Sequence, residues 1–411
     1  MNSKTKFLIG TWTALMLASC SGDDGTQPVI GEEFITEGTP EMVHMAAHAA
    51  AASASTKGYG TVGSTDDADN KWRENQAIYL YAVTSDYTTV WNEFDNRKAY
   101  VQDNSVVYFG SHTPTPNPEE DMGLASYYEL GKVNEKNSYW FYGYHVDDAA
   151  QMGTNSKGQA APVVNTSSTL LDDYYIDLTI DGTQDIMVAK IKDDPFAGNS
   201  ALTGYQYGYS AYTSRRGATP DLVFNHCLTR FTIEAIAADN NADGIRIDEM
   251  AIYSKTKAQL FFMKPADQSL VRASDDNDGA AWLTLKKYDA ATNEMVDLNP
   301  AADCTLSYPA DQSGRMIGNG IICMPKKTST TDVSDKYVLR IKQTQEKNGR
   351  EESQTFYLPI QKADGSDVDF QPGTSYKLSV TFHGFTAVRV TATLTPWATG
   401  EDIPMDPDDL L

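Results

Sequence analysis

The chain has 411 residues, of which 41% are hydrophobic and 10% aromatic, and 23 are tyrosines. This length is enough for two domains that each bury a core, and the composition is typical of a folded, strand-rich protein rather than a disordered one. The formal net charge of -23 repels polyanions, which argues against nucleic acid as a partner.

The first twenty residues have the organisation of an export signal. Lys4 and Lys6 form a basic start, an apolar stretch too short to span a bilayer follows, and residues 17–20 read LASC. A small residue before a cysteine is the pattern at which lipoprotein signal peptides are cut. We therefore predict a signal peptide over residues 1–19 and lipid attachment, with palmitate-type acyl chains, at Cys20.

An acidic tether is predicted over residues 20–40. Its sequence SGDD at residues 21–24 resembles the lipoprotein export signal of Bacteroidetes, which directs proteins to the outside of the outer membrane. The same residues are also consistent with an ordinary solvated tether, and the two interpretations are compatible.

Short strands are predicted through the first part of the remaining chain. Apolar and alternating stretches indicate strands near residues 72–83, 100–109, 139–145, 174–180 and 185–191. The run YWFYGYH at residues 139–145 places aromatic residues on both faces of a strand. One face is expected to be core, and the other is either core or a platform for stacking sugars; we favour core packing for both.

Residues 220–237 read as one long strand, which Pro220 separates from what precedes it. We interpret this stretch as the first strand of a second domain. Further short strands separated by turns, without helical periodicity between them, predict a β-sandwich in this half. The predicted domains are an N-terminal β-sandwich over residues 41–218 and a C-terminal β-sandwich over residues 219–411.

The same stretch carries a resemblance to a known family. Residues 224–231, FNHCLTRF, resemble the F-x-H-x-L-x-K/R-I/F strand of the fimbrillin-like proteins of Bacteroidetes. Three other pieces match in the family's order: AIYLYAV at 77–83, QDIMVAK at 184–190, and GTSYKLSV at 373–380 followed by TLTPW at 393–397. The resemblance implies an all-β fold of two transthyretin-like Greek-key β-sandwich domains in tandem. It also implies that the chain is a subunit of a surface pilus that assembles by strand exchange.

The resemblance bears on the N-terminal region as well. Residues 43–52 are alanine-rich and would form a helix by propensity alone, but the family has its first strand here, and we predict a strand. In the family a trypsin-like protease removes this strand by cutting a loop, which matches the Gly-, Asp- and Ser-rich residues 56–71. The candidate processing residues are Lys57, Lys71 and Arg73.

No catalytic motif, cofactor site or metal site is predicted. The chain has no Gly-x-Ser-x-Gly, no phosphate-binding glycine loop and no His-Glu-x-x-His. His44 and His48 have the spacing of a metal pair on a helix but no third ligand nearby. His226 is interpreted as a structural, hydrogen-bonded histidine at the edge between sheets or domains, and we do not expect an enzyme.

Three cysteines remain besides Cys20, and this odd number argues against a disulfide framework. Cys304 and Cys323 would still form a disulfide if their strands are neighbours, and the sequence leaves this open.

These observations predict a structural and adhesive subunit of a cell-surface fimbrium. The chain would be exported as an outer-membrane lipoprotein and assembled with other fimbrial subunits by protease-triggered donor-strand exchange. The alternative is a surface lipoprotein that does not polymerise and binds a glycan or a host protein, or an anchor or tip component of a fimbrium. The sequence does not decide between stalk, tip and anchor.

Overall fold

The computed structural model describes residues 41–49, 76–101, 107–109, 126–129, 138–191, 208–215, 217–264, 271–273, 279–289, 291–292, 294–326, 336–347, 349–361, 370–385 and 388–395. Strands dominate this part of the chain, and the predicted all-β class is confirmed. Its helices are short: α1 (Ala211–Ser214), α2 (Pro300–Asp303), and 3-10 turns at Asn92–Phe94, Leu171–Asp173, Asn240–Ala242 and Ala310–Ser313.

Within the described residues the strands of the first half are β1 (Ala46–Ala49), β2 (Ala77–Thr84), β3 (Arg97–Val101), β4 (Val107–Tyr108), β5 (Tyr139–His145), β6 (Met152–Thr154), β7 (Ala160–Pro162), β8 (Ile176–Thr179), β9 (Met187–Ile191) and β10 (Asp221–His226). Those of the second half are β11 (Thr229–Ala237), β12 (Arg246–Lys255), β13 (Lys257–Leu260), β14 (Val271–Ala273), β15 (Ala280–Thr284), β16 (Lys286–Asp289), β17 (Glu294–Asp297), β18 (Arg315–Cys323), β19 (Val338–Lys347), β20 (Arg350–Pro359), β21 (Ser375–Phe382) and β22 (Val388–Thr395).

Seven strands of the first half form one sheet in the order β1-β10-β9-β5-β2-β3-β4. Neighbouring strands are antiparallel except β1 and β10, which run parallel. The strand predicted in the alanine-rich region is confirmed by β1. Buried Val43, Met45 and Ala47 alternate with more exposed neighbours there, and this two-residue period with the pairing to β10 outweighs the helix propensity of alanine.

The aromatic strand β5 lies in the middle of this sheet and is buried at all seven positions. Tyr139 and Phe141 belong to the apolar cluster on one face of the sheet. Trp140, Tyr142 and Tyr144 belong to the cluster on the opposite face. The prediction that both faces of this run are core packing is therefore confirmed.

The stretch predicted as one strand over residues 220–237 is two strands in two different sheets. β10 ends at His226 and pairs with β9 in the first sheet. After Cys227 and Leu228 the chain enters β11, which pairs antiparallel with β18 and parallel with β21. The buried residues change from even positions in β10 (Leu222 and Phe224) to odd positions in β11 (Phe231 and Ile233), and the prediction of one strand overlooked this change of phase. The domain boundary at residue 219 stays a prediction, but the strand expected to open the second domain begins in the first sheet.

The second half contains two four-stranded sheets that enclose one apolar core. Their strand orders are β18-β11-β21-β22 and β15-β12-β19-β20. Phe231 and Leu378 from the first of these sheets and Ile252 and Leu339 from the second are fully buried in this core. The predicted β-sandwich of this half is thus confirmed, while its Greek-key connectivity stays a prediction.

The two halves share a sheet and part of their apolar packing. β8 from the first half pairs antiparallel with β13 from the second, and β14 completes a three-stranded sheet. The ring of Phe262 lies 5.0 Å from that of Tyr81 and 4.9 Å from that of Tyr144. Residues from both halves therefore pack together against one face of the seven-stranded sheet.

Cys227, Cys304 and Cys323 are buried and free, so the disulfide that the sequence left open is not formed. Burial raises the pKa of the Cys227 and Cys323 thiols to about 12 and that of Cys304 to about 11, which keeps all three protonated at neutral pH. In the part of the chain that the structure describes, no helix is long and apolar enough to cross a membrane.

Candidate functional site: the closing segment of the first sheet

Residues 41–49, here called the closing segment, bridge the two edges of the seven-stranded sheet. On one side the backbone N–H of Ala46 donates to the carbonyl of Pro220 (2.9 Å), and β1 continues parallel to β10. On the other side the carbonyl of Met45 accepts from the backbone N–H of Val107 in β4 (3.2 Å). Because β10 and β4 lie toward opposite ends of the strand order, the segment closes the sheet on itself.

The beginning of the closing segment is held by residues 126–129, which sequence analysis missed. The backbone N–H of Val43 donates to the carbonyl of Ser126 (2.8 Å), and that of Tyr128 donates to the carbonyl of Glu41 (2.9 Å). The pairing here is a single β-bridge, too short to leave an alternating pattern in the sequence. The groove that holds the segment is thus built from three separate parts of the chain.

The side chains that the closing segment buries are small or flexible. Val43, Met45 and Ala47 are 3%, 4% and 0% exposed and belong to the same apolar cluster as Leu222 and Phe224 of β10. The most deeply buried of the three is an alanine. The segment therefore completes the core with modest side-chain volume, and its backbone hydrogen bonds carry much of its attachment.

Polar side chains add only weak anchors at each end. Glu41 lies 3.5 Å from Arg215 and accepts a hydrogen bond from Ser214 (3.3 Å). His48 lies 3.2 Å from Asp221. Such partly exposed pairs contribute about 0–1 kcal/mol each. They orient the segment more than they stabilise it.

Neither of the two histidines of the closing segment belongs to a metal centre in the part of the chain described above. No group of three or more His, Cys, Asp or Glu residues there is arranged to hold a metal ion. The imidazole of His48 instead faces the carboxylate of Asp221 on the neighbouring strand.

The helix α1 positions the two partners of Glu41. Ser210 caps it: its Oγ accepts from the backbone N–H of Thr213 (3.4 Å), and Thr213 Oγ1 accepts from the backbone N–H of Ser210 (2.8 Å). This reciprocal capping box fixes a helix of only four residues and places Ser214 and Arg215 beside the closing segment.

The predicted lipidation and processing residues Cys20, Lys57, Lys71 and Arg73 lie outside the described residues. In the sequence, the three basic residues stand between the end of β1 and the start of β2. A cut after any of them would leave the closing segment held in its groove by noncovalent contacts alone.

A second edge strand lies near the C-terminal end. β22 is the last strand of its sheet and pairs with β21 over eight residue pairs, while on its other side the backbone N–H of Ala392 donates to the carbonyl of Gln361 (2.8 Å). On its inward side Ala392 is buried, and Val388 and Val390 are partly buried against the core. These three side chains have the same two-residue spacing as those buried by the closing segment.

Two buried histidine–aspartate pairs lie where the chain crosses from the first sheet to the second. His226 Nδ1 is 2.8 Å from Asp185 Oδ2, and His145 Nε2 is 2.8 Å from Asp147 Oδ1. The backbone N–H of Asp185 donates to Asp147 Oδ2 (2.7 Å), which links the two pairs. His226 is thus hydrogen-bonded at the edge between sheets, as predicted.

The His145 pair makes stability depend on pH. Burial alone would lower the pKa of His145, but the charge and hydrogen bond of Asp147 outweigh it, and the pKa is raised. A raised folded-state pKa gives stability that is present below the unfolded value of about 6.5 and is lost as pH rises through the folded value. Between about pH 6 and about pH 8 we expect His145→Gln to flatten the pH dependence of the free energy of unfolding, measured by urea titration.

The exposed His48 provides the matched control for that measurement. His48→Gln makes the same substitution at a position whose side chain is 46% exposed, and it controls for effects of the substitution that do not depend on burial. If the free energy of unfolding changes equally with pH in the unmodified chain and in His145→Gln, the buried pair does not make stability depend on pH between about pH 6 and about pH 8.

No family model and no curated protein matches this chain. Among solved structures, the chain is similar to a candidate cell adhesion protein from Bacteroides uniformis, with 14% identity over 87% of this chain and 98% of that one and a TM-score of 0.47. It is also similar to the fimbrial anchor protein Mfa2 from Porphyromonas gingivalis, with 11% identity, coverage of 87% and 99%, and a TM-score of 0.32. A candidate polysaccharide-binding protein from Bacteroides thetaiotaomicron matches at 11% identity, 85% and 96% coverage, and a TM-score of 0.33.

Proposed function

We propose that this chain is a subunit of a cell-surface fimbrium, exported as an outer-membrane lipoprotein and assembled by exchange of the closing segment for a strand of another subunit. The observation that carries the proposal is the position of residues 41–49, which bridge both edges of one sheet through backbone hydrogen bonds. The fimbrillin-like motifs and the lipobox ending at Cys20 support the same function.

Removal of the closing segment would create a site for an extended peptide. The edge of β10 would lose its partner, the N–H of Val107 would lose its acceptor, and the buried side chains of Leu222 and Phe224 would be uncovered. Unpaired strand edges beside apolar surface are templates for strand addition. A partner's strand satisfies the backbone groups and covers the apolar residues at once.

The donor that we propose is β22 of a second subunit. Its inward Val388, Val390 and Ala392 have the spacing and nearly the size of the side chains that the closing segment buries. Because β22 is an edge strand, its release breaks one ladder of hydrogen bonds, to β21, and the single bond from Ala392 to Gln361.

Proteolysis makes exchange of the closing segment for another subunit's strand favourable. While the closing segment is covalently attached, its effective concentration at the groove is high, on the order of millimolar for a flexible connection. A cut at Lys57, Lys71 or Arg73 removes this advantage, and the released segment is diluted. The groove then binds whichever subunit strand is most concentrated around it.

The test is the N-terminal sequence and the mass of the protein isolated from the cell surface. Assembly by exchange predicts a start at Gly58, Trp72 or Glu74, together with SDS-resistant oligomers after protease treatment of the purified chain. A chain that keeps a lipidated Cys20 and stays monomeric after cutting would contradict this function and favour an anchored, non-polymerising lipoprotein.

A further inference from the structure

The outer face of one sheet in the second half carries three aromatic rings that the core does not use. Tyr253 of β12, Trp282 of β15 and Tyr357 of β20 belong to the sheet β15-β12-β19-β20, whose other face packs into the core. The ring centroids of Tyr253 and Trp282 are 5.3 Å apart, and those of Trp282 and Tyr357 are 5.7 Å apart. Tyr253 is 41% exposed and Tyr357 is 61% exposed. We call these three rings the aromatic platform.

The rings of Trp282 and Tyr357 lie along the sheet rather than standing away from it. β15 and β20 are its two edge strands, and since strands lie about 4.8 Å apart, their backbones are separated by about 14 Å. Ring centroids only 5.7 Å apart require both side chains to reach across the sheet. Ala251, which lies between them on the same face, is fully buried, as expected beneath flat rings.

A guanidinium group supports the indole from the sheet side. Arg340 Cζ lies 4.4 Å from the ring centroid of Trp282, and its side chain is only 15% exposed, so it lies beneath the partly exposed ring. Arg340 Nε donates to one carboxylate oxygen of Glu249 (2.6 Å), and Lys342 Nζ donates to the other (2.6 Å). The platform is therefore held in place by stacking and ion pairing, which lowers the cost of ordering it for a ligand.

Charged groups border the platform without giving it a large charge of one sign. Burial alone would raise the pKa of Glu249, but Lys342 and Arg340 outweigh it and hold the pKa below its ordinary value. The carboxylate is thus ionised at neutral pH and compensates one of the two positive charges. Lys342 stays largely accessible, with 44% of its side chain exposed.

The net charge of the chain disfavours a polyanion as the occupant, because a chain of net charge -23 repels polyanions. Three rings also cover much less than the roughly 800 Å² per partner that a stable protein interface requires. The occupant that fits is small in cross-section and uncharged.

A sugar ring has these properties. The faces of aromatic rings carry partial negative charge, and one face of a pyranose presents C–H groups with partial positive charge. Carboxylate and ammonium groups beside the rings supply an acceptor and donors for hydroxyl groups. We propose that the aromatic platform binds a neutral polysaccharide, with its pyranose rings stacked on Trp282 and Tyr357 and its hydroxyls bonded by Glu249 and Lys342.

Carbohydrate binding at this face is separable from strand exchange. The platform lies on the sheet β15-β12-β19-β20, whereas the closing segment belongs to the first half and the proposed donor β22 to the sheet β18-β11-β21-β22. Loss of one activity therefore leaves the other testable in the same purified protein.

The experiment is affinity electrophoresis of the full chain in native gels that contain one soluble polysaccharide each. The probes are a β-glucan, an α-mannan and a galactan as neutral polymers, and polygalacturonate as the acidic one. We expect retardation by at least one neutral polymer that 0.5 M salt does not reverse, because stacking is not screened. No retardation by any neutral polymer would overturn the proposal, and so would binding of polygalacturonate alone.

The variants Tyr357→Ala and Tyr253→Ala should each weaken retardation by about tenfold, since one stacked ring contributes up to about 1.5 kcal/mol. Tyr357→Phe keeps the ring and should keep most of the binding. Tyr127→Ala is the control, because Tyr127 is 42% exposed but lies in the first half, beside the closing segment. Equal weakening by Tyr127→Ala would overturn the assignment to this platform.

Discussion

A chain that carries both His48→Cys and Val223→Cys should remain monomeric after trypsin treatment under oxidising conditions and should form SDS-resistant oligomers once it is reduced. Residues 48 and 223 are directly paired across β1 and β10, and both face outward. Neighbouring strands lie about 4.8 Å apart, within the range that a disulfide spans. The disulfide keeps the closing segment in its groove after the connection to β2 is cut. Size-exclusion chromatography and unheated SDS gels give the readout.

Two controls distinguish the effect of the disulfide from any harmful effect of the substitutions themselves. The same double variant under reducing conditions should assemble like the unmodified chain, and His48→Cys alone should assemble in both conditions. The native cysteines at 227, 304 and 323 are buried and do not compete for the new disulfide. If the oxidised double variant polymerises as fast as the reduced one, exchange at this groove is not how the chain assembles.

Phe224→Ala should lower the free energy of unfolding by about 3–5 kcal/mol. Phe224 is fully buried in β10, opposite Ala49 of the closing segment, and belongs to the cluster that the segment covers. A Cβ on Gly143 of β5, which lies beyond β9 in the same sheet, would be 2.7 Å from Phe224 Cζ, so the ring fills space that the glycine leaves open. Because Gly143 has no side chain that could occupy the cavity left by Phe224→Ala, the surrounding residues fill it poorly. We therefore expect the loss of free energy of unfolding to lie in the upper part of the range given above.

The adjacent residue provides the comparison in the same strand. Val223 faces outward and is 45% exposed, so Val223→Ala should change the free energy of unfolding by about 0.5 kcal/mol or less. Chemical denaturation of both variants, followed by tryptophan fluorescence, measures the difference. A Phe224→Ala effect no larger than that of Val223→Ala would mean that this part of the first sheet is not packed as described.

Most strands were predictable because each buries one face and repeats apolar residues every second position. β8, β10 and β21 are examples whose alternation is visible in the sequence. The alanine-rich β1 was predictable only through the family resemblance, since intrinsic propensity favoured a helix there. The crossing between β10 and β11 was missed because strand-like residues continue through Cys227 and Leu228, although the alternation changes phase there.

Only part of the groove that holds the closing segment could be predicted from the sequence. The closing segment was predicted from the family resemblance, and the basic residues that follow it could be located in the sequence. The opposite wall, formed by Val107 and residues 126–129, depends on the curvature of a seven-stranded sheet that brings its two ends together. No local pattern records that closure. The aromatic platform was missed for the same reason, since its rings come from three strands far apart in sequence.

The pairing of β8 with β13 has a mechanical consequence. Four residue pairs and a common apolar cluster tie the two halves of the chain together, so one half cannot swing against the other without separating that ladder. Each molecule should therefore move as one stiff unit rather than as two domains joined by a flexible linker. In a filament assembled from such subunits as proposed above, bending under fluid flow would concentrate at the joints between neighbouring subunits. The length and tightness of the exchanged strand, rather than any linker within a molecule, would then set how flexible the filament is.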